Sequence, residues 1–306
     1  METGKSRTGL AVGVVGLGNM GTPIARHLLQ AHPTVYVNSL RRVSELENEG
    51  AQWLDDLATM GERADAILFM VPDLPQVYES LERECGLLSG IQKRSENKEP
   101  LLIMIGSTAS AVGVRKLDAE LRELHPGKAV LVDTPVSGGV DGALAGTLSV
   151  MVGGDDEAAL RAIEVLSPVG TPVHLGPLGA GQVAKACNQL VVGATMFALG
   201  EATVLAERSG LDTQVMWDLL SGGYSGSRLL ETRKEALVKH DDSPSGPIKF
   251  LQKDVKIGLE VAAATDTKAV MLPALERFLG ELVGSYGLGD RDLATTRRFI
   301  EERSRS

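Results

Sequence analysis

The chain is poor in cysteine: two in 306 residues, Cys85 and Cys187, far apart and in no CxxC spacing. That excludes a disulfide scaffold and a zinc site built from thiolates. Positive charge is outweighed, with 31 Lys and Arg against 40 Asp and Glu for a net charge of −9, so the surface does not attract a polyanion and no nucleic-acid partner is expected. A small anionic ligand is still allowed, because a local cationic pocket can sit on an acidic protein. No uninterrupted apolar run reaches the roughly 18 residues of a membrane span, and the polar stretch Met1–Thr8 has no secretory apolar core. The expectation is no membrane partner and a cytoplasmic location. The five histidines form no HExxH or other metal-ligand spacing, so no metal is expected. Ser137 has no histidine and acid arranged with it by motif, which removes a hydrolase reading. Aromatic residues are also scarce, at 4%.

What is present is alternation. Short apolar runs at Leu10–Val15, Val35–Val37, Ala66–Val71, Leu101–Ile105 and Val130–Val132 alternate with amphipathic segments such as Pro23–Gln30 and Val112–Leu124. Alternating strand and helix predicts a parallel sheet covered by helices on both faces, and apolar strands fit a sheet buried on both sides. Thr147–Val152, followed by two glycines and acidic residues, adds one more strand and helix. From Gln182 to Ser209 only Gly193 and Gly200 interrupt a helical pattern, which predicts one helix of about 40 Å with Gly210 as its C-cap. Ser243–Pro247 reads as a loop, and the charged stretch Lys93–Glu99 as a solvated one. The fold class is therefore α/β, a Rossmann-type doubly wound sheet over 1–176, then an all-α domain over 177–306 with a long interdomain helix. That helix is apolar at Leu190, Val191, Val192, Met196, Phe197 and Leu199, so it needs cover from the C-terminal helices, a second subunit or both. A homodimer or homotetramer is expected.

Gly16-Leu17-Gly18-Asn19-Met20-Gly21 follows the first strand directly and opens a helix, the context a dinucleotide fingerprint requires. The first glycine permits the tight turn, the second lets backbone approach a pyrophosphate, and the third lets helix pack on strand. About 20 positions on, where an NAD site has Asp or Glu, stands Asn38-Ser39-Leu40-Arg41-Arg42. Without a carboxylate a 2′-phosphate is not repelled, and a guanidinium can bind it bidentately. NADP is favoured over NAD.

Three further segments follow in order: Asp133-Thr134-Pro135-Val136-Ser137-Gly138-Gly139, Gly179-Ala180-Gly181-Gln182-Val183-Ala184-Lys185-Ala186-Cys187-Asn188-Gln189, and Lys253-Asp254. With the glycine motif, these make the sequence resemble the β-hydroxyacid dehydrogenase (3-hydroxyisobutyrate dehydrogenase) family from about Val12 to Glu302. Within it, Lys185–Gln189, Gly222–Ser227 and Gly287-Leu288-Gly289 resemble the tartronate semialdehyde (2-hydroxy-3-oxopropionate) reductase branch. Lys185 and Asn188 lie three apart and share a helix face. The resemblance implies that Lys185 is the general acid, protonated at neutral pH and able to stabilise a developing alkoxide. It implies that Ser137, Gly138 and Gly139 hold a substrate carboxylate and that Asn188 hydrogen-bonds substrate. Lys253 is expected to contact the cofactor, with Asp254 orienting its surroundings, and Val71, Pro72, Gln76 and Thr108 are further cofactor contacts.

Three positions depart from the family pattern: Ile105 where an Asp usually precedes the Ser-Thr pair, Gly246 where related reductases often have Phe, and Gln189 where the 3-hydroxyisobutyrate branch has a second Asn. The implied reaction is hydride transfer between a nicotinamide and a small carboxylate-bearing aldehyde or hydroxy acid: tartronate semialdehyde, glyoxylate, succinic semialdehyde or 3-hydroxyisobutyrate. An imine reductase shares the architecture, but such enzymes generally lack a lysine at position 185. A non-catalytic dinucleotide-binding protein would not need Lys185, Asn188 and the Ser137 loop together.

Overall fold

The structure, a computed structural model, describes residues 9–244 and 246–305. The Met1–Thr8 stretch and Ser245 of the expected 243–247 loop lie outside the described residues. The chain divides into two compact units, ending and beginning at Lys185 and Ala186.

In the first unit, strand and helix alternate as β1 (Ala11–Val15), α1 (Gly21–Ala31), β2 (Thr34–Asn38), α2 (Ser44–Asn48), β3 (Gln52–Trp53), α3 (Leu57–Arg63) and β4 (Ala66–Phe69). They continue as α4 (Leu74–Glu82), α5 (Leu87–Gln92), β5 (Leu101–Ile105), α6 (Ala111–Leu124) and β6 (Ala129–Asp133). Then come β7 (Val136–Ser137), α7 (Gly139–Ala145), β8 (Leu148–Gly153), α8 (Asp156–Leu166) and β9 (Gly170–Gly176). The sheet order is β3-β2-β1-β4-β5-β6-β8-β7, with β9 on β8, so the chain reverses direction across the sheet between β1 and β4. Ligands of open α/β sheets bind beyond the strand carboxyl ends at such a point. β1 through β6 are parallel as expected, but β8 runs antiparallel to β6 and β7.

The strands are buried on both faces because helices cover both. Val12, Val14, Ile24, Leu28, Leu102, Met104 and Ala159 form one layer, and Ile67, Phe69, Ile103, Ile105, Leu87 and Leu117 the other. Ile105, where an acid was expected from the resemblance, is fully buried in that second layer. The Lys93–Glu99 stretch is not simply solvated. Arg94 is 4% exposed and donates to the carbonyls of Gly61 and Ala64 at the end of α3 and to Glu99. Its guanidinium satisfies carbonyls that the helix end leaves open.

The second unit is helical: the remainder of α9 (Ala180–Arg208), then α10 (Thr213–Leu220), α11 (Arg228–Lys239), α12 (Ile248–Ala264), α13 (Met271–Gly280) and α14 (Thr295–Arg303). α9 starts two residues before the sequence estimate. It ends in a Schellman motif: Gly210 has φ +76°, its N–H donates to Glu207, and the Leu211 N–H reaches back to Ala206. Gly200 is explained by packing, since a Cβ there would lie 2.8 Å from the Arg297 nitrogen. Phe197 sits in a core with Leu251, Val255, Leu275 and Phe299. By length and composition α9 would also pass for a membrane-crossing helix, with mean hydropathy 1.5 and 44% of its most apolar window buried in the protein. Polar residues and glycines interrupt its sequence, so it contains no unbroken apolar run of that length. Val191 and Leu205 on this helix remain 64% and 61% exposed.

Candidate active site

The glycine motif caps the carboxyl end of β1, and its three glycines have different reasons. Gly16 adopts φ +99°, and a Cβ there would lie 2.7 Å from the Met70 carbonyl oxygen beyond β4. Gly21 opens α1, and a Cβ on it would fall deep inside contact with the Gly16 carbonyl oxygen. Gly18 differs: its φ is not positive, and an added Cβ would meet nothing within 4 Å. Nothing in the protein demands glycine there. A bare backbone facing open space at the start of a helix fits a pyrophosphate that must approach closely. The residues present therefore suit a dinucleotide.

Around this turn the sequence-selected residues divide. Ser39 accepts the Leu17 N–H at 3.2 Å, which ties the end of β2 to the glycine loop. Asn38 lies beside it, its carbonyl accepting the Gly16 N–H, but its side chain donates to Leu54 at 2.7 Å and is buried. Gln76 completes the capping box of α4 by accepting the Asp73 N–H. Of the two arginines, Arg42 is taken: Glu47 binds it through two contacts of 2.7 and 2.6 Å, and its guanidinium lies 5.4 Å over the Trp53 ring. Arg41 is exposed and forms no ion pair among the described residues.

The ends of β4, β5 and β6 are joined by buried polar contacts. Ser107 Oγ donates to the Val71 carbonyl at 2.6 Å. Gln182 is fully buried, accepts the Ala109 N–H at 2.9 Å and donates to the Ser107 carbonyl at 2.8 Å. Thr108 lies between these two groups. Asp133, also fully buried, ends β6, and its two carboxylate oxygens accept the N–H groups of Gly179 and Gln182, each at 2.6 Å. It caps the first turn of α9, where a carboxylate also complements the helix dipole. One turn further, Lys185 is 9% exposed. Ser137 is half-buried, while Gly138 and Gly139 are exposed and have φ values of +134° and +64°.

In the second unit a polar chain runs through the remaining candidates. Asn188 Nδ2 donates to Gln189 Oε1 at 2.9 Å, and Gln189 Nε2 donates to Asp254 Oδ2 at 2.7 Å. Lys253 Nζ lies 3.2 Å from Asp254 Oδ1. Sequence reasoning named Asp133, Gln182 and Gln189 within motifs but gave none of them this work. The available signal was an acidic residue closing an otherwise apolar strand, and a glutamine in the first turn of a helix that is otherwise apolar. No group of three His, Cys, Asp or Glu placed to hold a metal ion occurs among the described residues.

Burial pushes the Asp133 carboxyl up to about 6, against the pull of the Gly179 and Gln182 N–H donors and of the Arg115 charge. A carboxyl that binds its proton more tightly folded than unfolded stabilises the protein below its ordinary value of 3.8 and loses that contribution as pH rises through about 6. Its ionised form at neutral pH costs about 3 kcal/mol by this linkage. Asp133→Asn is expected to remove roughly that much of the fall in unfolding free energy between about pH 4 and 7. Denaturant melts across this range check it, and a slope equal to wild type would contradict the assignment.

Comparison with known proteins agrees with this architecture. Residues 11–184 match the family described as the NAD binding domain of 6-phosphogluconate dehydrogenase, and 179–300 match the NAD-binding of NADP-dependent 3-hydroxyisobutyrate dehydrogenase. The chain is 35% identical over 257 residues to the 2-hydroxy-3-oxopropionate reductase of Escherichia coli K12, covering 83% of this chain and 85% of that one. It is 29% identical over 302 residues to human mitochondrial 3-hydroxyisobutyrate dehydrogenase, covering 95% and 87%. The structure of Mycobacterium tuberculosis 3-hydroxyisobutyrate dehydrogenase with L-serine superposes with a TM-score of 0.80 at 26% identity, covering 95% and 99%. A Rossmann sheet with a glycine turn open to a pyrophosphate, continued by a helical unit, defines an NAD(P)-dependent oxidoreductase. The chain belongs to the β-hydroxyacid dehydrogenase family.

Proposed function

We propose that this dehydrogenase is an NADP-preferring reductase of small carboxylate-bearing aldehydes of the tartronate semialdehyde type, with Lys185 as proton donor. Glyoxylate, succinic semialdehyde and 3-hydroxyisobutyrate carry the same recognition chemistry. The observation that carries the reading is Lys185 itself, an ammonium only 9% exposed, one helical turn beyond a glutamine bonded to both peptide groups flanking Thr108. An amine sequestered from water there can donate a proton to a carbonyl oxygen and stabilise negative charge on it. When bound, the nicotinamide supplies the hydride.

The backbone at Gly16–Gly21 would hold the pyrophosphate, with Leu17, Asn19 and Met20 forming the turn and Val71, Pro72 and Thr108 the flanking wall. Ser137 and the N–H groups of Gly138 and Gly139 would hold the substrate carboxylate, Asn188 would hydrogen-bond substrate, and Lys253 would contact the cofactor. The similarity to an enzyme named 2-hydroxy-3-oxopropionate reductase supports the substrate class. The NADP preference is supported by Arg41, the guanidinium left available once Glu47 takes Arg42. The exposed Val191 and Leu205 of α9, with Val215 and Leu219 of α10, support a homodimer or homotetramer. The net charge of −9 supports the absence of a nucleic-acid partner; no membrane partner and a cytoplasmic location complete the reading.

The test is reduction of tartronate semialdehyde, glyoxylate and succinic semialdehyde, and oxidation of 3-hydroxyisobutyrate, with each cofactor, in wild type and Arg41→Ala. Wild type is expected to bind NADPH more tightly than NADH. The variant should lose about 10- to 100-fold in NADPH affinity, the size of a charged hydrogen bond, and little in NADH affinity. Tighter NADH binding by wild type would overturn the cofactor preference. Failure to turn over all four compounds would overturn the substrate class.

A further inference from the structure

We infer that Gln182 is a positioning residue for the reaction: it latches the helix turn carrying Lys185 to the backbone on both sides of Thr108, and Asp133 holds the latch at its base. The inference rests on the reading of Lys185 as proton donor.

Gln182 is held at both ends. Its side-chain amide spans the Ser107 carbonyl and the Ala109 N–H as a neighbouring strand would, at 2.8 and 2.9 Å, while its own N–H is held by Asp133 at 2.6 Å. Ser107 in turn grips the Val71 carbonyl at 2.6 Å, and the turn at Gly16 packs on Met70 and Val71. The chain ends after β4, β5 and β6 therefore meet the start of α9 through one set of hydrogen bonds, and the turn after β1 packs against it. Lys185 is three residues from Gln182 and on the neighbouring helix position, so fixing Gln182 fixes where the lysine stem begins.

The glycines around the latch fit the same purpose. A Cβ on Gly181 would fall inside contact with the Met151 carbonyl and lie 2.8 Å from Asp133 Oδ2. One on Gly153 would collide with Asp133 Oδ1 and reach within 2.9 Å of the Ala180 nitrogen. Helix, strand end and carboxylate are thus brought closer than any side chain at these two positions allows. General acid catalysis needs the donor within hydrogen-bond reach of the reacting oxygen, and displacements of about 1 Å are costly. A latch of this kind supplies that precision without touching the substrate.

The test uses Gln182→Met, which keeps the unbranched shape and removes both side-chain bonds, and Gln182→Glu, which keeps the acceptor for Ala109 but sets an oxygen against the Ser107 carbonyl. Each is assayed with NADPH and whichever of tartronate semialdehyde, glyoxylate and succinic semialdehyde wild type reduces fastest, at least about 20 °C below its own melting temperature. Gln182→Met is expected to lower kcat about 10- to 100-fold with carbonyl KM changed less than about threefold. The isotope effect with NADPH deuterated at the transferring carbon should rise, because a misplaced lysine slows the chemical step. A merely structural role would lower the melting temperature and leave kcat and the isotope effect at wild-type values, and that result overturns the inference. If Gln182→Met does not fold, Gln182→Glu decides by the same criteria, with a smaller loss expected. Lys185→Ala in the same assay separates the two readings. Wild-type activity in it sinks the proton-donor reading and the latch with it, whereas a crippled Lys185→Ala beside fully active Gln182 variants sinks the latch alone.

Discussion

Lys185→Ala is expected to lower turnover by about 10²- to 10⁴-fold, the range for loss of a general acid, while NADPH binds within about threefold of wild type. The two effects separate because different elements carry them. The dinucleotide turn is built by β1 and α1, whose glycines contact Met70 and one another, whereas Lys185 projects from the second turn of α9. Truncating a side chain that is 9% exposed leaves the helix cap at Asp133 and the Gln182 bonds in place, so the scaffold persists without the proposed proton donor. Lys185→Met, which retains most of the stem, should be as impaired as the alanine variant, assigning the loss to the ammonium rather than to packing. The reverse reaction carries an independent signature. Oxidation of an alcohol needs the neutral amine, and a free lysine titrates near 10.4, so wild-type oxidation should accelerate towards alkaline pH and that acceleration should vanish in the variant. Steady-state rates with either cofactor decide the matter: turnover within about threefold of wild type, or an acid optimum for oxidation, would remove the mechanism.

The elements legible in the sequence are those whose burial repeats along the chain. β1, β2, β4, β5 and β6 are apolar runs because helices cover both sheet faces, and each was found to within about two residues of its ends. β3 and β7 have two residues each, too few for any period. β9 escaped because its Val173 and Leu175 face outward, 49% and 46% exposed, and because Pro172, tolerable in a strand bonded on one side only, reads as a breaker. The direction of β8 is set by its pairing with β7, which no local pattern records. At the candidate site the motifs mark the loops at the strand ends but not the hydrogen-bond partners within them. Arg41 and Arg42 look alike in sequence, and only the fold brings Glu47 onto one of them. Asn38 ends β2 and Gln76 lies in the first turn of α4, yet their side chains serve Leu54 and the α4 cap. The Asp133 and Gln182 bonds join residues 46 to 75 positions apart, a separation across which one sequence carries no signal.

Gly21→Ala should disable cofactor binding and folding together, and the contrast with Gly18→Ala makes the result informative. A Cβ on Gly21 enters the Gly16 carbonyl oxygen and comes within 3.3 Å of the Met70 side chain. Gly16 cannot retreat: its N–H is bonded to the Asn38 carbonyl at 2.9 Å, and its own Cα faces the Met70 carbonyl with φ at +99°. The first turn of α1 must therefore swing outward. Overpacking of this kind costs about 1–3 kcal/mol, and more where backbone has to move, so a fall of several degrees in melting temperature and a loss of about 100-fold or more in NADPH affinity are expected. Gly18→Ala meets no protein atom within 4 Å and needs no left-handed backbone, so its melting temperature should match wild type within about 2 °C. Its methyl group nevertheless stands where a pyrophosphate would approach the turn, and NADPH affinity should fall at least about tenfold. Thermal melts and cofactor titrations of the two variants read these effects separately. Wild-type affinity in Gly18→Ala would mean that the open space above the turn is not where the pyrophosphate lies, and a wild-type melting temperature in Gly21→Ala would mean that the contact between α1 and β1 is looser than the backbone geometry requires.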